Sequence, residues 1–202
     1  MIGYYFITDA ALSRAGIFSD VKNAVKAEVK FVQYREKYAS TKEMYLQAMQ
    51  LRRICKNITF LVNDRIDIAL GVDADGLHIG QDDLTYHLAR KLLGKKRIIG
   101  LTVHTLKEAQ EAEKAGADYI SLSPIFTTAT KTDAGKPVGI TLIKKIKQRV
   151  ALPLVAIGGI DLTNAGQVIS AGADGLCAIS AVVVRRDVRE EVKKFQRLFR
   201  PA

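Results

Sequence analysis

The chain has 202 residues, 48% hydrophobic and 26% charged, a composition that suits one globular domain and excludes a disordered chain. Its net charge of +10 admits nucleic acid, a membrane surface or small anions as partners. No apolar run reaches the roughly 18 residues of a membrane span, and Met1–Ile7 lacks the basic start and long apolar run of a secretory signal.

A soluble, cytoplasmic protein is therefore expected. Most Lys and Arg fall at helical spacing, as in Lys22, Lys26 and Lys30 or Lys144, Lys145 and Lys147, with no interleaved aromatics and no nucleic-acid motif. They read as solvated helix faces. Small anionic molecules are thus the expected partners, without nucleic acid or membrane, and a homo-oligomer is left open. Cys55 and Cys177 lack CxxC spacing and read as ordinary thiols, not a disulfide.

Short β-rich runs alternate with amphipathic stretches from end to end, the pattern of a parallel sheet built from βα units. The predicted strands are Tyr4–Thr8, Phe31–Arg35, Thr59–Asn63, Gly76–Ile79, Ile98–Thr102, Tyr119–Leu122, Leu154–Ile157 and Gly175–Ala178. Helices are expected between them and after the last, where Val188, Val192, Phe195 and Phe199 form one apolar stripe. Ala115-Gly116-Ala117-Asp118 and Ala171-Gly172-Ala173-Asp174 repeat one helix stop, and Asp73-Ala74-Asp75-Gly76 is a weaker copy. Their aspartates precede strands and read as structural. With no linker or composition break, residues 1–202 are expected to form a single (β/α)8 TIM barrel with short loops. The exception is the polar stretch Ser123 to Val138, whose length suits a binding loop.

In such a barrel the chemistry sits where strands end. Gln33, Arg35 and Lys37 are spaced by two, which sends all three side chains toward the mouth. Two cations and an amide suit a diphosphate and a heterocycle, since Arg grips phosphate bidentately and Lys adds a mobile charge. Asp64 follows the third strand and Asp82-Asp83 the fourth. Carboxylates from two strand ends suit a shared magnesium ion, and each alone equally suits a helix N-cap. The run Thr127-Thr128-Ala129-Thr130-Lys131 offers hydroxyls and an ammonium to phosphate oxygens. Gly158-Gly159 and the turn into Ile179-Ser180 suit backbone N–H groups cradling a second phosphate. The three histidines, His78, His87 and His104, do not form a metal-ligand spacing and read as structural.

These segments together resemble the thiamin-phosphate synthase family. The likeness runs through Tyr5-Phe6-Ile7-Thr8-Asp9, Gln33-Tyr34-Arg35-Glu36-Lys37, Leu61-Val62-Asn63-Asp64-Arg65, Asp75 to Asp83, Thr128-Ala129-Thr130-Lys131, Ala156 to Ile160 and Ala173-Asp174-Gly175. The resemblance implies an enzyme that joins 4-amino-5-hydroxymethyl-2-methylpyrimidine diphosphate to a thiazole phosphate, releasing pyrophosphate with magnesium. It also implies that Arg35, Lys37, Asn63 and Lys131 contact the pyrophosphate, Gln33 the pyrimidine, and Asp64 and Asp83 the metal. Thr128, Thr130, Gly159, Ile179 and Ser180 match the thiazole-phosphate cradle.

Arg35, Lys37, Lys131 and Thr102 are the expected catalytic residues, and Thr102 is also an expected substrate contact. Thr102 stands where the family usually has Ser, which keeps the hydroxyl and adds a methyl group. Ser123-Pro124 and Thr127 depart from the family's Gly-Pro and Pro in the long loop. The nearest rival is a thiazole tautomerase, which looks to carry a catalytic His after the sixth strand, where this chain has Pro124. A non-catalytic phosphate-binding barrel is the rival from another class, because fold alone does not establish function.

Overall fold

Alternate residues of each strand sort to opposite faces, as a period of two requires. In β1 (Gly3–Ile7), Tyr4 and Phe6 join the large outer core while Tyr5 and Ile7 join a smaller inner cluster. The same division puts Leu61 of β3 (Thr59–Asn63), Tyr119 of β6 (Tyr119–Leu122), Val155 of β7 (Leu154–Ile157) and Cys177 of β8 (Gly175–Cys177) inside. With β2 (Phe31–Tyr34), β4 (Gly76–Ile79) and β5 (Ile98–Val103), they form a closed, all-parallel barrel in chain order. Gly3 pairs with Gly175 and Tyr4 with Leu176 to close it. The computed structural model describes residues 2–128, 130 and 135–199. Each strand lies within one residue of its expected bounds.

Helices α1 (Ile17–Lys26), α2 (Thr41–Ile54), α3 (Ile66–Gly71), α4 (Tyr86–Leu93), α5 (Leu106–Ala115), α6 (Ile140–Lys147) and α7 (Ala165–Ser170) alternate with the strands. The short α8 (Ile179–Val183) and the final α9 (Val188–Arg197) follow β8. Val188, Val192 and Phe195 of the expected stripe are buried, with Phe195 stacked on Tyr4 at 5.2 Å between ring centroids, while Phe199 lies past the end of α9 and is half-buried. Burying such an aromatic side chain contributes on the order of 2 kcal/mol. No helix among the described residues is long and apolar enough to cross a membrane.

The repeated helix stop has a physical basis. Gly116 and Gly172 turn left-handed at φ 90° and 106°, and Asp73 takes the same place at φ 51°. In each copy the next residue's N–H reaches back into the last helical turn, as from Ala117 to Ala112 and Ala74 to Ala69. The aspartates that follow cap the preceding odd-numbered strand. Asp75, Asp118 and Asp174 accept the backbone N–H of Phe60, Ile99 and Leu154, each at 2.8 Å. Arg52, Arg90 and Lys147 neutralise these carboxylates. Their cationic groups are therefore structural partners at the N-terminal face, which corrects the view of Lys147 as merely solvated. Lys22, Lys26 and Lys30 are exposed, as expected.

Candidate active site at the barrel mouth

A cavity of about 510 Å³ opens where the strands end. It is lined by Gln33, Arg35, Lys37, Asn63, Asp64, Asp83, Thr102, Thr128, Thr130, Gly159, Ile179 and Ser180. Folding thus brings together every site residue expected from the sequence except Lys131, which lies outside the described residues.

The inward-facing positions change character along the barrel axis. Leu61 and Val155 lie deeper; toward the mouth the polar Gln33, Asn63, His78, Thr102 and Ser121 stand among the apolar Ile7, Ile157 and Cys177. Arg35 follows Gln33 by two and is held by the two residues just after β1. Its backbone N–H donates to Thr8 Oγ1 at 2.9 Å, the Thr8 hydroxyl donates back to Arg35 O at 3.1 Å, and Arg35 Nη1 donates to Asp9 at 3.3 Å. Thr8 and Asp9 are both buried. An arginine tethered this way keeps part of its fork for a ligand. The next turn is pinned by Glu36, whose Oε1 accepts the backbone N–H of Lys37, Tyr38 and Ala39.

Lys37 makes an ion pair with Asp64. Asp64 itself adopts the left-handed region at φ 59°, which is uncommon outside glycine and favours a functional reading. Asp83 accepts the Gly80 N–H at 2.7 Å. Burial first, and then the facing Asp64 carboxylate, raises the pKa of Asp83 from its ordinary value. Two carboxylates thus face each other with Lys37 at one side. Among the described residues no cluster of three His, Cys, Asp or Glu side chains surrounds that point.

Below the mouth lies a continuous polar floor. Gln33 Nε2 donates to Tyr5 OH at 2.9 Å, Tyr5 OH meets Tyr119 OH at 2.8 Å, and Tyr119 OH meets His78 Nδ1 at 2.7 Å. His78 Nε2 then meets Thr102 Oγ1 at 2.9 Å. Burial pushes the His78 pKa down to about 4, so the ring is neutral near pH 7. His104 also lines the cavity, its Nδ1 paired with Ser123 O at 2.6 Å. Two of the three histidines therefore line the cavity, with their rings bonded to groups of the fold itself.

On the far side, Gly158 and Gly159 have φ 103° and 64°. A Cβ on Gly158 would lie 2.6 Å from Pro124 Cβ, and one on Gly159 would lie 2.4 Å from Thr127 O. The long loop after β6 packs directly on them, with Ile125 N donating to Ile157 O and Phe126 N to Gly158 O. Glycine is required here by the loop as well as by any anion. The first turn of α8 begins beside this surface with no side-chain cap, leaving backbone N–H groups suited to an anion.

A family model described as thiamine monophosphate synthase matches residues 4–182. A thiamine-phosphate synthase of Methanosarcina barkeri is 55% identical over 195 residues, spanning 96% of this chain and 89% of that protein. One of Chloroflexus aurantiacus is 46% identical over 96% of this chain and 91% of its own length. The chain belongs to the thiamine monophosphate synthase family. The solved thiamine phosphate pyrophosphorylase of Pyrococcus furiosus superposes with a TM-score of 0.90 at 38% identity, covering 98% of this chain and 95% of that one.

Within this family frame, several cavity-organising groups escaped residue-by-residue reading. Tyr5, Thr8 and Asp9 stand in a segment of the family likeness without a role of their own, and Tyr119 marks only the start of a predicted strand. The inward parity of Tyr5 relative to Ile7 was a usable signal. The meeting of Tyr5 with Tyr119 was not, because the two are 114 residues apart.

Proposed function

We propose that this transferase joins 4-amino-5-hydroxymethyl-2-methylpyrimidine diphosphate to a thiazole phosphate, giving thiamin phosphate and pyrophosphate. The observation that carries this reading is the grouping of Arg35, Lys37 and the facing carboxylates Asp64 and Asp83 around one end of the cavity, opposite Gly158-Gly159 and the start of α8. One end suits a polyanion with a cation, and the other a monoester phosphate.

Asp64 and Asp83 would hold a magnesium ion. Their fit rests on the donor set: two facing carboxylates from separate strand ends, both lining the cavity, are the hard oxygen donors such an ion takes. Magnesium takes few protein ligands and completes its shell with water and phosphate oxygens. When bound it supplies charge that favours departure of the diphosphate.

The protein's own residues do the rest. Arg35, Lys37 and Asn63 bind the diphosphate, with Lys131 assigned the same task by the family likeness. Breaking the carbon–oxygen bond first leaves a pyrimidine-stabilised cation. The site must therefore stabilise negative charge on the leaving group more than it must supply a base. Gln33 and Thr102 hold the pyrimidine, while Thr128, Thr130, Gly159, Ile179 and Ser180 hold the thiazole phosphate. The thiazole nitrogen is already nucleophilic and needs only to be kept near the cation. Because both substrates are charged phosphates, the reading also makes this a cytoplasmic enzyme.

The test is to mix the purified protein with both substrates and magnesium and measure thiamin phosphate and pyrophosphate. Formation of both in equal amounts is expected; absence of both would overturn the reading.

A further inference from the structure

The polar floor links two proposed substrate contacts through three residues with no assigned role. Gln33 on β2 and Thr102 on β5 both line the cavity. Between them lie Tyr5, Tyr119 and His78, from three further strands. Gln33 Oε1 has no partner among the described residues and is not sealed away from the cavity.

Counting protons gives the chain a direction. Tyr5 OH accepts from Gln33 Nε2, so its single proton goes to its other partner, Tyr119 OH. Tyr119 OH has then accepted once and donates to His78 Nδ1. A neutral imidazole carries one proton, which must sit on Nε2 and be donated to Thr102 Oγ1. The Thr102 hydroxyl proton is thereby left for the cavity. Burial supports the neutral forms, holding the His78 pKa low and the Tyr5 and Tyr119 pKa values high.

The barrel is built to admit this arrangement. Gly100 lies inside β5 at an inward position, without the positive φ that would explain a glycine. A Cβ there would lie 2.1 Å from Tyr119 Cζ and 2.4 Å from its hydroxyl. The missing side chain is the space that lets the Tyr119 ring cross the floor.

We propose that Tyr5, Tyr119 and His78 are positioning residues forming a one-way hydrogen-bond relay that presents Gln33 as an acceptor and Thr102 as a donor to the pyrimidine. This deepens the proposed function and rests on it for the identity of the heterocycle. An aminopyrimidine offers a donor amine and acceptor ring nitrogens, the complement of those two ends. A heterocycle with the opposite pattern would leave buried polar groups unpaired, the strongest source of discrimination at such a site.

The experiment has two arms. In the first, steady-state kinetics compare wild type with Tyr119→Phe and Tyr5→Phe, which keep the rings and remove only hydroxyls. Each variant is expected to raise KM for the pyrimidine diphosphate by on the order of tenfold, the size of one or two lost hydrogen bonds. KM for the thiazole phosphate and kcat should stay unchanged, and the penalty should shrink for a pyrimidine diphosphate lacking the exocyclic amine. A merely structural role would lower the active fraction, and so kcat, without moving one KM alone. An unchanged KM, an equal rise in both, or an undiminished penalty with the analogue would overturn the relay. In the second arm, nitrogen NMR of labelled wild-type protein reads the His78 tautomer directly. The Nε2–H form is expected, and the Nδ1–H form would overturn the proposal even if neither variant folds. Failure of the wild type to turn over either substrate would instead strike the proposed function, with the tautomer still reporting on the relay.

Discussion

The carboxylate of Asp9 accepts from Arg35 Nη1 at 3.3 Å while its other oxygen accepts the Leu12 N–H at 3.0 Å. One buried side chain therefore ties the principal arginine of the cavity to the loop between β1 and α1. Asp9→Asn keeps an oxygen for Leu12 but removes the charge facing Arg35. A charge-assisted hydrogen bond of this kind contributes about 1.5 to 3 kcal/mol. Steady-state kinetics should show kcat/KM for the pyrimidine diphosphate falling by on the order of tenfold, with KM for the thiazole phosphate little changed. Equal kcat/KM in the two proteins would show that Arg35 needs no such tether.

Asp64→Asn and Asp83→Asn should each shift the magnesium titration of activity to higher concentration, because each neutralises one of the two facing carboxylates. Asp82 is exposed at the edge of the cavity, and Asp82→Asn should shift the titration less. The check is activity against magnesium concentration at saturating substrate; unchanged midpoints in both of the first two variants would remove the metal assignment.

At Gly159 the expected effect is a double one. A Cβ would meet Thr127 O at 2.4 Å on a backbone already at φ 64°, so Gly159→Ala strains the loop as well as narrowing the phosphate cradle. Strain of this type costs about 1 to 3 kcal/mol. Thermal unfolding should show a lower Tm, and kinetics a higher KM for the thiazole phosphate with KM for the pyrimidine diphosphate nearly unchanged. A normal Tm with normal kinetics would contradict the close packing.

Asp118→Ala isolates the other face of the barrel. It leaves the Ile99 N–H and the Arg90 guanidinium without their shared acceptor, a loss of about 1 to 3 kcal/mol. Denaturant unfolding should register that loss while both KM values stay at their wild-type levels, because the cavity lies at the opposite end of the strands.

Acid should weaken the fold through His78. Its pKa is about 4 in the folded protein against roughly 6.5 for an unperturbed histidine. Between those values the unfolded chain binds a proton that the folded one refuses, so stability is fully present above the unfolded value. It is lost as pH falls toward the folded value, by roughly 3 kcal/mol at most. Urea unfolding at pH 7.5 and pH 4.5, two conditions set about that window, should show this decline, and His78→Asn should flatten it. An equally steep decline in the variant would assign the acid sensitivity to other groups.

The barrel could be read from the chain because its determinants are local. Period-two runs such as Tyr4 to Ile7 and the α9 stripe of Val188, Val192 and Phe195 depend only on neighbours a few residues away. Spacing by two likewise placed Gln33, Arg35 and Lys37 together at the mouth, and the helix stops at Gly116 and Gly172 announced their left-handed turns. Closure of the barrel decided what no local pattern carries: that Asp9 would face Arg35, that Gly159 would lie under the Thr127 carbonyl, and that Gly100 would make room for Tyr119. These contacts depend on the stagger between neighbouring strands and on residues converging from across the barrel. An aromatic facing inward has the same sequence signature whether its hydroxyl ends in a hydrocarbon core or in a hydrogen-bonded chain. Only the packed interior distinguishes them, because a buried hydroxyl must find a partner and the fold determines which ones are within reach.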